Sequence, residues 1–242
     1  MTGAFYATLR CFSAEPMFKA KHSNLIFTQY EHQKLSGVLA LLWGNEEFEA
    51  PPCSFESFVK GVALHDRGYE TFDNLSIGEI SEEEWLKVSR KGFFLQYDDA
   101  IADVIAKKHI LRLAQRSDHQ DDESVALIEA MVASIEGLIR DKALDVNMLA
   151  FIDRITDLCD SISFDFCFQN YGTESVEVQS TFGDEKLTRV EYTLGADNII
   201  KISPWPLSVP HYEGYLIAYQ AEGFPGKLEP EIIRYTLRGE WE

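Results

Sequence analysis

Positive charge is scarce in this sequence: 22 Lys and Arg stand against 40 Asp and Glu over 242 residues, a formal net charge of −18. Nucleic-acid binding needs a basic surface that displaces the counterions condensed on phosphate, so this balance argues against it. Long apolar runs are missing too. No stretch approaches the roughly 18 apolar residues of a membrane span, and the start, MTGAFYATLRCF, lacks the basic region, apolar core and cleavage site of a secretory signal. Cysteine is limited to Cys11, Cys53, Cys159 and Cys167, with no CxxC pair. The expectation is a reduced, cytoplasmic protein without structural zinc. There is no internal repeat, no P-loop, no dinucleotide fingerprint and no nucleophile elbow.

What is present suits a packed fold. Hydrophobic residues make up 45% of the chain and aromatic ones 12%, enough for the core of one large domain or two small ones. The charge is unevenly spread. Residues 1–44 carry four basic and two acidic side chains, residues 45–160 carry 12 and 25, and residues 161–242 carry six and 13. The acid therefore sits in the middle of the chain and not in a tail.

Apolar spacing changes near residue 170. Before it the period is helical, and after it apolar and polar residues alternate between Gly, Asn, Asp and Pro punctuation. Helices are expected at 31–43, 54–67, 81–89, 97–116, 121–140 and 145–168, with Ser54, Ser81 (and Glu84) and Asp145 as N-terminal caps. Strands are expected at 175–181, 187–194, 198–202, 214–221 and 231–239, and two more at 4–11 and 24–30. The segment 203–210, with three prolines, cannot be a central strand. It reads as a rigid loop carrying Trp205 over a core edge. The expected fold class is α+β: a mainly helical bundle over 31–170, with a small antiparallel sheet built from 171–242 and the N-terminal strands of 1–30.

Six histidines carry most of the chemical interest: His22, His32, His65, His109, His119 and His211. The dipeptide His65-Asp66 arises about 0.4 times by chance in a chain of this composition. Its surroundings give it weight. His32 shares a helix face with Leu35, Leu39 and Leu42; His65 lies on the stripe of Phe58 and Val62; His109 follows Ile101 and Ile105. In the last helix Ile152, Ile155, Cys159, Ile162 and Phe166 form the inward seam, bordered by Asp160, which also continues an acidic stripe with Asp153 and Asp157. Singly, an inward His is most often a core residue bonded to a carbonyl, and an acidic stripe is most often a solvated face. Jointly, three imidazoles and a carboxylate from four helices are what a bundle-core metal site requires, because a carboxylate buried there needs a cation. His119, within RSDHQDDE, reads as a solvated linker residue.

The order His32, His65-Asp66, Asp160 resembles the H…HD…D signature of the HD-domain superfamily, helical metal-dependent proteins of which many are phosphohydrolases. Through TQYEHQKLSGVLALLWG, VALHDRGYE, ITDLCDSISFDFC and ISPWPL, the chain more closely resembles an uncharacterised bacterial family described only as a domain of unknown function. The resemblance implies that His32, His65, Asp66 and Asp160 hold one divalent ion (Mn, Fe, Mg or Zn), with His109 suited to a second ion or to substrate. Many HD enzymes carry a Lys after a Gly-containing turn near the scissile phosphate; here that stretch is Arg67-Gly68-Tyr69. Arg67, Lys107, Lys108 and Arg112 are the nearest basic residues for neutralising a phosphate, although an amphipathic helix also places Lys107 and Arg112 simply to solvate its outer face.

Three functions fit these residues. The first is a metal-dependent hydrolase acting on a small phosphate ester or nucleotide-like metabolite. The second is a di-iron oxygenase of HD-like fold, and the third a non-catalytic metal- or ligand-binding protein. So acidic a surface repels polyanions at long range, which favours a small-molecule substrate. Neither oligomeric state nor substrate identity is legible in the residues.

Overall fold

Short polar residues open all six α-helices in the computed structural model, which describes residues 18–74, 81–116 and 121–239. Thr28 caps α1 (Gln29–Leu42), Ser54 caps α2 (Phe55–Ala63) and Ser81 caps α3 (Glu82–Phe94). Asp99 caps α4 (Ala100–Arg116), Asp121 caps α5 (Asp122–Asp141) and Asp145 caps α6 (Val146–Phe168). Each cap oxygen accepts a backbone N–H from the first turn, at 2.8 to 3.3 Å. Ser81 and Glu84 form the full capping box. Helix α6 stops where Gln169 turns left-handed (φ 55°), and the chain passes directly into the sheet.

Among the described residues seven strands form one sheet: β1 (Phe18–Lys19), β2 (Leu25–Phe27), β3 (Gly172–Gln179), β4 (Leu187–Leu194), β5 (Ile199–Ser203), β6 (His211–Gln220) and β7 (Pro230–Gly239). Their order is β1-β2-β6-β7-β5-β4-β3, and every pairing is antiparallel except β5 with β7, which run parallel. The expectation of a mainly helical bundle with a small antiparallel sheet is therefore overturned. The sheet is large and mixed, a full layer of an α+β fold. The proline-rich loop explains the parallel pair. It cannot close a tight hairpin, so β5 and β6 separate; β6 pairs with β2 and then with β7, and β7 fills the place beside β5. The strand expected at 24–30 shortens to β2, while the one expected at 4–11 lies outside the described residues.

One face of this sheet is buried against the helices. Val178, Val190, Tyr192, Ile200, Ile202, Leu216, Ala218, Tyr235 and Leu237 join Leu35, Leu39, Phe151, Ile155, Ile162 and Phe166 in a single core. Helix α6 lies at its centre, with 14 buried residues, and packs on α1, α4 and β3. The Pro-rich loop closes the end of α1: Leu207 bridges Trp43, Gly44 N–H donates to the Pro206 carbonyl, and Trp205 Nε1 donates to Val209 O at 2.7 Å. Among the described residues no helix is long and apolar enough to cross a membrane.

Candidate metal centre

The turn after α2 decides where the His-Asp pair points. The helix ends at Ala63, four residues before the expected 67, and the chain turns through Leu64–Gly68 into a 3-10 turn over Tyr69–Asn74. Gly68 has φ +91°, and a Cβ there would lie 2.7 Å from Gly92 Cα, so only glycine makes this turn. His65 Nδ1 lies 2.7 Å from Val62 O, the kind of carbonyl a helix end leaves without an intrahelical partner. That bond aims Nε2 away from α2 and into the space between α1, α4 and α6.

Four donor atoms meet there. His32 Nε2, from α1, is 3.0 Å from His65 Nε2, 3.2 Å from Asp66 Oδ2 and 3.2 Å from Asp160 Oδ1 of α6. His65 Nε2 is 3.6 Å from Asp66 Oδ2 and 3.3 Å from Asp160 Oδ1. Ligands about 2.1 Å from a common ion are separated by about 3.0 to 3.4 Å; four of these five spacings lie in that range, and only His65 Nε2 to Asp66 Oδ2, at 3.6 Å, lies just outside it. His109 Nε2, from α4, stands 2.9 Å from the other oxygen of Asp66.

The protons agree with that geometry. His65 Nδ1 donates to Val62 O, which leaves its Nε2 a lone pair. Ser163 Oγ donates to the Asp160 carbonyl at 3.0 Å and lies 2.6 Å from Ser36 Oγ, so it accepts from His32 Nδ1 at 2.8 Å. His32 too presents a lone pair at Nε2. Two lone pairs and two carboxylate oxygens converge in a space where His32 and His65 are fully buried and Asp66 and Asp160 nearly so. Such a set needs a cation, whether a proton or a metal ion. Without metal, a proton fills the role. Burial works against charge on His32, yet its contacts with Asp160 and Asp66 raise its pKa well above the usual imidazole value. Burial would raise both carboxylates, but the neighbouring imidazoles hold Asp66 and Asp160 well below the carboxylate range. His109 is shifted down, because burial outweighs the attraction of Asp160 and Asp66. The donors fit a divalent first-row ion, with neutral imidazoles and carboxylates in two overlapping groups that could hold a metal: His32, His65 and Asp66, and His65, His109 and Asp160.

The basic residues expected at the mouth are placed otherwise. Arg67, 1% exposed, donates to Gly92 O at 2.9 Å and Phe93 O at 3.2 Å, pairs with Asp103, and stacks on Tyr97. Lys107 is buried against the same Asp103 and Leu95 O. Lys108 lies 3.6 Å from Asp153, and Arg112 bridges Asp153, Asp157 and His109 Nδ1. Of the acidic stripe, Asp160 turns inward while Asp153 and Asp157 face these cations. His119 lies outside the described residues. Ser163 and Ser36 are additions to the residues expected from the sequence. Their signal was there: a small hydroxyl on an otherwise apolar stripe, three residues after Asp160 and four after His32.

A family model described as "Protein of unknown function (DUF3891)" matches residues 17–216. The chain belongs to that family. The match takes in all five residues of the centre and both sides of the fold, from β1 into β6. No curated protein and no solved structure matches the chain. As a DUF3891 protein it inherits no activity from its family.

Proposed function

We propose that this DUF3891 protein is a metal-dependent hydrolase of HD type, acting on a small phosphate ester or nucleotide-like metabolite. The observation that carries the proposal is the convergence of His32, His65, Asp66 and Asp160 at 3.0 to 3.6 Å, with the outer nitrogen of both imidazoles already bonded. These four would hold the ion, and a bound Mn, Fe, Mg or Zn supplies Lewis acidity, acidifying water and polarising a phosphoryl oxygen. The chain's own residues orient and exclude. The Phe18 ring lies against His32, centroids 4.5 Å apart, and shields that side from water, whereas the Asp66 and Asp160 side chains keep 10% and 13% exposure.

The surroundings limit the substrate. Arg67 and Lys107 are committed to Asp103, and Arg112 to Asp153 and Asp157, so Lys108 is the most available of the four basic side chains. With so little unpaired basic charge nearby, the site suits a single phosphate group, and a net charge of −18 disfavours anything more anionic.

The test begins with elemental analysis of the chain after dialysis against Mn(II). His65→Ala and Asp160→Ala are each expected to lose the ion with helix content retained in circular dichroism. Metal held by both variants overturns the centre. The loaded chain is then assayed on phosphomonoesters and mononucleotides; if it cleaves none of them, the centre stands and the hydrolase reading falls.

A further inference from the structure

His109 and Arg112 carry the centre one step further. They are one helical turn apart on α4, and the guanidinium Nη2 of Arg112 lies 3.0 Å from His109 Nδ1. A guanidinium has donors only and does not deprotonate in proteins. His109 Nδ1 is therefore the acceptor of this bond. A neutral imidazole that accepts at Nδ1 carries its proton at Nε2, and His109 Nε2 lies 2.9 Å from Asp66 Oδ1, an acceptor. Both bonds are satisfied by the same tautomer. It is the opposite of the one at His65, where Nδ1 holds the proton and Nε2 the lone pair.

The orientation of Arg112 is itself fixed. Its Nη1 donates to Asp153 Oδ1 at 2.7 Å and to the Asp153 carbonyl at 3.3 Å, and its Nε lies 3.2 Å from Asp157 Oδ1. Asp153 and Asp157 are one turn apart on α6, the helix that also supplies Asp160. The two outer members of the acidic stripe thus hold the arginine that holds the histidine.

We propose that Arg112 is a positioning residue that locks His109 as an Nε2–H donor to Asp66, and so limits the centre to one metal ion. This rests on the metal centre proposed above. A histidine metallated at Nε2 keeps its proton on Nδ1, where it would face the Arg112 guanidinium donor to donor. His109 is barred from ligating a second ion through Nε2 for as long as Arg112 stays in place. It orients one oxygen of Asp66, which leaves the other, Oδ2, directed at His32 and His65. His65, His109 and Asp160 lie close enough to hold a second ion, and it is the Arg112 bond that opposes their use for one.

Two measurements on the full chain test the proposal. In the metal-free chain labelled with 15N-histidine, the His109 signals, assigned by their loss in His109→Gln, are expected to show a protonated Nε2 and an unprotonated Nδ1. Dialysis against Mn(II) followed by elemental analysis is expected to give one ion per chain. In Arg112→Met the tautomer is expected to change or become mixed, and the metal content to rise towards two ions per chain. A protonated Nδ1 in the parent, two ions per parent chain, or an Arg112→Met chain with unchanged tautomer and stoichiometry each overturns the lock. The parent measurements need no substitution, so they decide the matter if Arg112→Met does not fold. A parent chain that takes up no ion overturns the proposed function, while the His109 tautomer still decides the lock.

Discussion

At the scale of single residues, Ser163 bears on the metal without touching it. It accepts from His32 Nδ1 and donates to the main-chain carbonyl of Asp160, so one hydroxyl orients the His32 ring and ties it to the turn of α6 that carries Asp160. Outer partners of this kind typically affect metal affinity by about 10- to 100-fold. Ser163→Ala is accordingly expected to weaken Mn(II) binding by that factor in isothermal titration, with circular dichroism unchanged; equal affinity in both chains would show that His32 is oriented by something else. Proton release is a second consequence. His32 is raised above its ordinary value, so in the metal-free chain it contributes stability below the unfolded value of about 6.5 and loses it as pH rises through the folded pKa. Asp66 and Asp160 are lowered and act in the opposite sense: their contribution is present above about 3.8 and is lost as pH falls through their folded values. Metal must displace the His32 proton. Apparent affinity should then climb about tenfold per pH unit from 6.5 up to the folded pKa and level off above it, with one proton released per ion on the rising part. Titrations in buffers of different ionisation enthalpy count that proton, and a count of zero at pH 6.5 would remove His32 from the ligand set.

At the scale of elements, what could be read in the sequence depended on whether the signal was local. All six helices start within three residues of expectation, because caps such as Ser54, Ser81 and Asp145 are written within each segment, while α2 ends four residues early and α3 five residues late. Strands β4 and β7 are as local and fall within a residue of expectation. Strand order is a different matter. That β7 lies beside β5 follows from β6 pairing with β2, a contact made across most of the chain. In the centre, His32, His109 and Asp160 were legible as inward residues of periodic helices. The fates of Arg67 and Lys107 were not, since their common partner, Asp103, looks like any first-turn acid. Arg67 now has a structural task, holding the turn that carries His65 and Asp66 against the end of α3. Removing one partner of a buried pair costs about 3–5 kcal/mol, whereas a partly exposed pair contributes under about 1 kcal/mol. Urea denaturation should therefore show Arg67→Met destabilised by about 3–5 kcal/mol and Lys108→Met by less than about 1 kcal/mol; comparable losses would mean that the Arg67 cluster is not what fixes the turn.

At the scale of the whole molecule, the excess of acid acts on metal and substrate in opposite directions. A net charge of −18 attracts divalent cations and repels phosphate esters over distances set by the ionic atmosphere. That range shrinks from about 10 Å at 0.1 M salt to about 3 Å at 1 M. The centre itself is buried, so contacts between ion and ligands are screened far less than this outer field. Raising salt should thus weaken Mn(II) binding while lowering KM for a phosphomonoester in the fully loaded chain, and leave KM for an uncharged ester unchanged. The contrast separates surface from site, since a field confined to the metal pocket would give both esters the same salt dependence. The test requires saturating metal at every ionic strength, so that loss of ion is not mistaken for loss of substrate. A KM for the phosphomonoester that rises with salt would mean that a local cation, with Lys108 the most available, outweighs the long-range repulsion, and Lys108→Met should then abolish that rise.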